Sequence, residues 1–192
     1  MPDGLLARRL ARRQALAGAA GLAPAMLLYG HALAQPLGGM TQIEQLCARA
    51  AVIDVVNAVG LLADLREWPA LRACFADEVL VDYTSRDGGQ PVRMKADDLV
   101  EGWRKRLGGF SATQHLISNH LMEVEAQRAV CRSTFKSQHR LETEQWDLDG
   151  RYRHELTQAG RIWRVSAMQM VGDFERGNRR LVERAAMKAD RP

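Results

Sequence analysis

Three cysteines in 192 residues, widely spaced and odd in number, exclude a disulfide framework, and no C-x-x-C pair is present to hold zinc or to cycle thiols. Cys47, Cys74 and Cys131 are therefore expected as free thiols on buried apolar faces. No His and carboxylate pair has the spacing of a zinc site, so no metal is expected. Lys and Arg are scattered among acids rather than gathered in a stripe, which argues against a nucleic-acid partner. There is no internal repeat and no low-complexity segment. The apolar run Ala15 to Leu28 holds 14 residues and includes Gly18, Gly21 and Pro24. A membrane-spanning helix needs roughly 20 residues, so this run is not read as an anchor.

That run reads instead as the core of a cleavable export signal over residues 1–34. Arg8, Arg9, Arg12 and Arg13 precede it, and Ala32-Leu33-Ala34 offers small residues to a signal peptidase. The pair Arg12-Arg13 before Gln14-Ala15-Leu16 favours the twin-arginine route over the ordinary secretory one. The expected location is periplasmic or secreted, with the new N-terminus at Gln35 and no stable membrane insertion afterwards. The formal charge of +4 then falls to +1, because the signal takes four of 27 basic residues and one of 23 acidic ones.

Residues 35–42 are expected as a loop, 43–174 as one domain and 175–192 as a polar tail. Thr41 and Glu44 have the spacing of a capping box, and the helix they start is expected to end near Leu65. Along it Ile43, Leu46, Ala50, Ile53, Asn57, Gly60 and Asp64 recur at helical spacing, which places a carboxylate on the expected buried stripe. Such a group costs several kcal/mol unless it is paired or faces a wet cavity. Trp68 to Phe75 and Ala96 to Leu107 read as further helices, and Val79 to Thr84 as the first strand. From Ser111 onward the pattern is β: Thr113 to Val124, Ala129 to Leu141, Arg151 to Gln158 and Ile162 to Val171, with turns expected at 125–128, 147–150 and 159–160. Helices first and an antiparallel meander second predict an α+β domain whose curved sheet wraps the first helix.

Strand parity puts Ala129, Cys131, Ser133, Phe135, Ser137 and His139 on one face. Small residues on a concave face leave a void, so a ligand cavity is expected there, with His139 looking in and Phe135 and Asn57 as substrate contacts. His115 lies where a strand can reach the helix bearing Asp64. A carboxylate on one imidazole nitrogen fixes the tautomer and leaves the other nitrogen as a general base. His120, five residues on, is expected on the opposite, exposed face, and His154, flanked by Arg151, Arg153 and Glu155, on a solvated strand. Trp103 and Trp163 are assigned to the core.

Asp64-x-x-x-Trp68-x-x-Leu71-x-x-x-Phe75, Val81-Asp82-Tyr83, Thr113-Gln114-His115, Gln138-His139-Arg140 and Gly160-x-x-Trp163-Arg164-Val165 together resemble the SnoaL-like branch of the nuclear transport factor two-like superfamily, within it the scytalone dehydratase pattern. The resemblance implies a conical α+β barrel around an apolar pocket. It further implies an Asp64–His115 dyad, Tyr83 polarising a substrate carbonyl and His139 near a leaving hydroxyl. Ala63 stands where the dehydratase pattern has a second tyrosine, and its strand asparagine has no clear equivalent around Tyr152 and Arg153. The expected activity is a cofactor-free lyase acting on a small hydrophobic or aromatic molecule. An isomerase or cyclase using the same dyad, or a periplasmic binding module for a lipophilic ligand, are the alternatives. The family analogy also implies a homo-oligomer, a trimer before a dimer, built through the outer face of the sheet that carries Arg132, Lys136 and Gln138.

Overall fold

The computed structural model describes residues 39–189, so the export signal lies outside the described residues. The chain order is α1 (Gln42–Leu65), α2 (Trp68–Ala73), β1 (Phe75–Asp82), α3 (Thr84–Asp87), β2 (Val92–Lys95), α4 (Ala96–Leu107), β3 (Ala112–Glu125), β4 (Arg128–Leu141), β5 (Glu144–Ala159), β6 (Ile162–Gly177) and α5 (Leu181–Ala189). The strands form one sheet in the order β2-β1-β6-β5-β4-β3. All neighbours are antiparallel except β1 and β6. This is the expected α+β architecture.

Helix α1 starts where its capping box predicts: the Glu44 amide donates to Thr41 Oγ1 at 3.2 Å, and the Thr41 amide to Glu44 Oε2 at 2.8 Å. Such a cap contributes about 1 kcal/mol. The helix ends at Leu65, and the capping residue Arg66, at φ 58°, closes the last turn. The buried stripe, however, is Ala48, Val52, Val56, Val59, Gly60 and Ala63. Ile43 and Leu46 are instead exposed, at 73% and 66%, and so are Ala50 and Asn57. The sequence pattern mistook the phase because α1 is apolar almost all round, so periodicity alone cannot say which side the sheet takes. Cys47 falls on the exposed side for the same reason, and only Cys131 is fully buried; all three cysteines are free thiols.

The second expected helix stops two residues early, at Ala73, and Phe75 already belongs to β1. The turn expected at 147–150 is not a turn. Strand β5 runs through it, and the reversal from β4 occurs at Glu142, whose φ is 59°. Gly150 sits at a bulge between β5 and β6, and a Cβ there would meet the Val171 carbonyl oxygen at 2.1 Å. That glycine marks close approach of two strands, not a loop. The segment after Asp173 is also more than a polar tail. It completes β6 and forms α5, whose Leu181 and Ala185 are fully buried.

Two apolar clusters result. One fills the space between α1, α2, α4 and the sheet, around Val52, Leu71, Phe75, Val79 and Val165. The other joins Phe110, Phe135, Trp146, Leu148, Met170 and Leu181 at the opposite end. Helix α1 is long and apolar enough to cross a membrane by length and composition alone, but its Val52–Val56–Ala63 stripe is taken up by the core.

Candidate functional site

A cavity of about 490 Å³ opens between the two clusters, and its wall includes Ala63, Tyr83, His115, Phe135, Ser137 and His139. Along β4 the structure follows the expected parity: Cys131, Ser133, Phe135, Ser137 and His139 all face inward and are buried. Ser137 Oγ is spent on the Leu148 carbonyl at 2.7 Å, so the small side chains leave room without leaving that hydroxyl unbonded.

Asp64 on α1 and His115 on β3 meet across this wall. Asp64 Oδ1 lies 2.7 Å from His115 Nδ1, Oδ2 accepts the His115 backbone amide at 2.6 Å, and the Thr113 hydroxyl donates to Oδ1 at 2.8 Å. Burial alone raises the Asp64 pKa, but these donors, led by His115, outweigh it and hold the carboxyl below its ordinary value. A carboxylate only accepts, so Nδ1 carries a proton, and in the neutral ring this tautomer leaves the lone pair on Nε2. The close approach of α1 to β3 depends on Gly60, where a Cβ would come within 3.1 Å of the His115 Cβ.

His139 stands edge-on to His115, ring centroids 5.4 Å apart, and packs between Phe110 and Trp146. Its Nδ1 lies 3.3 Å from the Trp146 carbonyl oxygen, which can only accept. Desolvation, with His115 as the next cause, pushes its pKa down to about 4. His139 is thus a neutral imidazole whose Nε2 is an acceptor. Tyr83, at the end of β1, lies under the Arg86 guanidinium at 5.0 Å. Its hydroxyl approaches Met168 Sδ at 3.8 Å, and burial pushes its pKa up to about 12. It stays a protonated donor at neutral pH.

Phe135 lines the cavity as expected, stacked on Tyr152 at 4.2 Å. Asn57 does not line it. That side chain is exposed on α1 and faces His120, with Oδ1 3.0 Å from Nε2. His120 itself is half-buried rather than exposed, because Asn119, at φ 55°, forms a bulge that reverses strand parity between Ser118 and Leu121. His154 is the larger correction. It is fully buried against the cavity, neither ring nitrogen has a hydrogen-bond partner among the described residues, and desolvation lowers its pKa to about 4. Charged neighbours suggested solvent, yet parity with Tyr152 and Leu156 would have turned it inward.

Two further wall residues escaped the sequence reading. Tyr152 brings a second phenol into the cavity, and its burial, with the Tyr83 charge as the next cause, raises its pKa. Trp103, assigned to the core, packs edge-on to Phe75 at 5.8 Å and also reaches the cavity; Trp163 is core as expected. Among the described residues, no group of three or more His, Cys, Asp or Glu side chains could hold a metal ion.

Residues 44–169 match the family model of the SnoaL-like domain. The chain belongs to that SnoaL-like family. Solved structures agree in fold: a protein of Kribbella flavida, Kfla4162, is 24% identical with a TM-score of 0.65, covering 72% of this chain and 96% of its own. A scytalone dehydratase candidate from Novosphingobium aromaticivorans is 20% identical with a TM-score of 0.60, covering 70% and 89%. The hexachlorocyclohexane dehydrochlorinase LinA-type3 of Novosphingobium barchaimii is 18% identical with a TM-score of 0.59, covering 72% and 95%. No curated protein matches the chain.

Proposed function

We propose that this SnoaL-like protein is a cofactor-free lyase of the dehydratase type, acting on a small apolar molecule with an activating carbonyl. The observation that carries the reading is the two-point grip of Asp64 on His115, through Nδ1 at 2.7 Å and the backbone amide at 2.6 Å. Held this way, His115 Nε2 takes a proton from the carbon next to the carbonyl, and the electron pair moves onto the carbonyl oxygen. Tyr83, protonated at neutral pH, donates a hydrogen bond to that oxyanion. Collapse of the oxyanion restores the carbonyl, forms the carbon–carbon double bond and expels the β-hydroxyl. Because His139 is neutral and its Nδ1 faces a carbonyl, it does not protonate the leaving group. Its Nε2 accepts a hydrogen bond from the leaving hydroxyl and orients it, and the imidazolium formed at His115 returns the proton that leaves as water.

An isomerase would share the first half of this sequence and differ only in where the proton returns. A turnover screen of small β-hydroxy and β-halo carbonyl compounds, with chelator present, tests the reading. Release of water or halide by the wild type and its loss in His115→Ala is the expected result. Turnover that survives in His115→Ala, or stops with chelator, would refute it, and saturable ligand binding without any turnover favours the binding module.

The same reading includes export and assembly. The exported protein is expected to begin at Gln35, with Arg12-Arg13→Lys-Lys blocking the twin-arginine route. A trimer is expected in solution, and light scattering of the mature protein measures it.

A further inference from the structure

We infer that the substrate carries an anionic group, such as a carboxylate, that sits at the cavity mouth between Arg106 and Arg180. The inference rests on the lyase reading only in making this ligand a substrate. Three elements far apart in sequence converge there: α3 brings Arg86 and Asp87, the last turn of α4 brings Arg106, and the turn into α5 brings Arg179 and Arg180, with Glu183 beside them. Four guanidinium groups thus face two carboxylates.

The partners are unequally shared. Arg86 grips Asp87 through Nε and Nη2, both at 2.7 Å. Arg179 takes the same carboxylate at 3.2 Å and reaches Glu175 at 3.7 Å. Asp87 is therefore bonded by two cations, and its pKa is lowered first by the bond to Arg86, with the charges of Arg106 and Arg179 adding to it despite partial burial. Arg106 and Arg180 have no ion pair among the described residues, and both are exposed on the lip. Asp87, already bonded by Arg86 and Arg179, and Glu183 are the acids among the lining residues that oppose them.

The interior explains why the anion belongs at the mouth. The Asp64 carboxylate lies directly behind its His115 wall, 2.7 Å from Nδ1, and much of the lining is apolar, with Phe135, Trp146, Leu148, Met168 and Met170, so a second anion inside would be both repelled and desolvated. At the mouth it keeps part of its hydration while two guanidinium groups that make no ion pair among the described residues hold it, and the apolar body points inward toward the dyad. Guanidinium groups suit a planar oxyanion because they donate in a fixed fork.

Two dyes with the same aromatic rings test this on the full chain. 8-Anilinonaphthalene-1-sulfonate carries a sulfonate; N-phenyl-1-naphthylamine does not. The wild type is expected to bind the sulfonate dye more tightly, with an affinity that falls as salt is added, while the neutral dye is insensitive to salt. Arg106→Gln with Arg180→Gln is expected to raise the sulfonate dye's Kd about tenfold and to leave the neutral dye within about twofold. Glu183→Gln is expected to tighten the sulfonate dye. Both sites are exposed, and circular dichroism checks that the variants stay folded. Wild type showing no preference for the sulfonate, or a double variant that weakens both dyes alike or neither, overturns the proposal. Dye binding needs no turnover, so a failed lyase screen leaves this result standing on its own.

Discussion

A Cβ on Gly60 would lie 3.1 Å from the Cβ of His115 and 3.2 Å from Ile117 Cδ1. The absent methyl group is what lets α1 settle on β3 closely enough for Asp64, one turn further on, to reach His115. Inside a helix, glycine costs about 1 kcal/mol relative to alanine, so the position trades helix stability for this approach.

Gly60→Ala is accordingly expected to gain little or no stability, because the helix propensity is offset by displacement of a Cβ fixed to the β3 backbone. Turnover is expected to fall by about tenfold or more, since dyads of this kind lose rate with displacements near 1 Å. Chemical unfolding and steady-state kinetics measure the two effects. A variant with full turnover would show that the spacing of α1 and β3 does not set the dyad.

Asp64→Asn is expected to keep the fold while lowering turnover by about 10³-fold or more, because the amide can donate to Nδ1 and favour the wrong tautomer. His115→Ala should cost at least as much. The two residues act as one unit, so the double variant should be little worse than His115→Ala alone. Multiplying losses would mean that Asp64 and His115 work separately.

How much of this was legible in the sequence depends on how local each signal is. The capping box at Thr41, the extent of α4 and the inward face of β4 follow from patterns within a few residues, and the structure keeps them. Asp64 and His115 were found because the family resemblance supplied the contact that 51 residues of separation hide. His120 was misplaced because one αL residue, Asn119, reverses parity, and nothing in Asn-His marks a bulge. His154 was misplaced because Arg151 and Arg153 outweighed its own alternation with Tyr152. The phase of α1 was lost because Ile43, Leu46, Leu61 and Leu65 are apolar yet exposed. The arginines at the mouth come from three distant elements, so no local pattern could have assembled them.

Stability is expected to fall between about pH 6.5 and pH 4. His139 and His154 have native pKa values near 4 against about 6.5 in the unfolded chain, so the unfolded chain binds more protons across this window. Their contribution is complete above pH 6.5 and is lost as pH falls through the native values. His154→Leu should flatten this dependence, and at pH 7.5 it should be neutral or stabilising, because an unbonded polar side chain is replaced by an apolar one. Denaturant unfolding at pH 7.5, 6 and 5 measures the slope. An unchanged slope would mean that His154 is protonated alike in both states.

The last test separates the roles of the two histidines that face each other at 5.4 Å. If His139 accepts a hydrogen bond from the leaving hydroxyl, its removal should matter when the leaving group has a proton to donate and matter less when it has none. His139→Ala is therefore expected to slow loss of water from a β-hydroxy carbonyl by about 10²-fold, and loss of chloride from the matching β-chloro compound by less than about tenfold. His115→Ala should slow both alike, because both begin with the same proton abstraction. The His139→Ala ratio should also be independent of pH between 6 and 8, since burial keeps this imidazole neutral throughout that range. Equal losses for the two substrates would remove His139 from the departure step and leave it as a wall of the cavity.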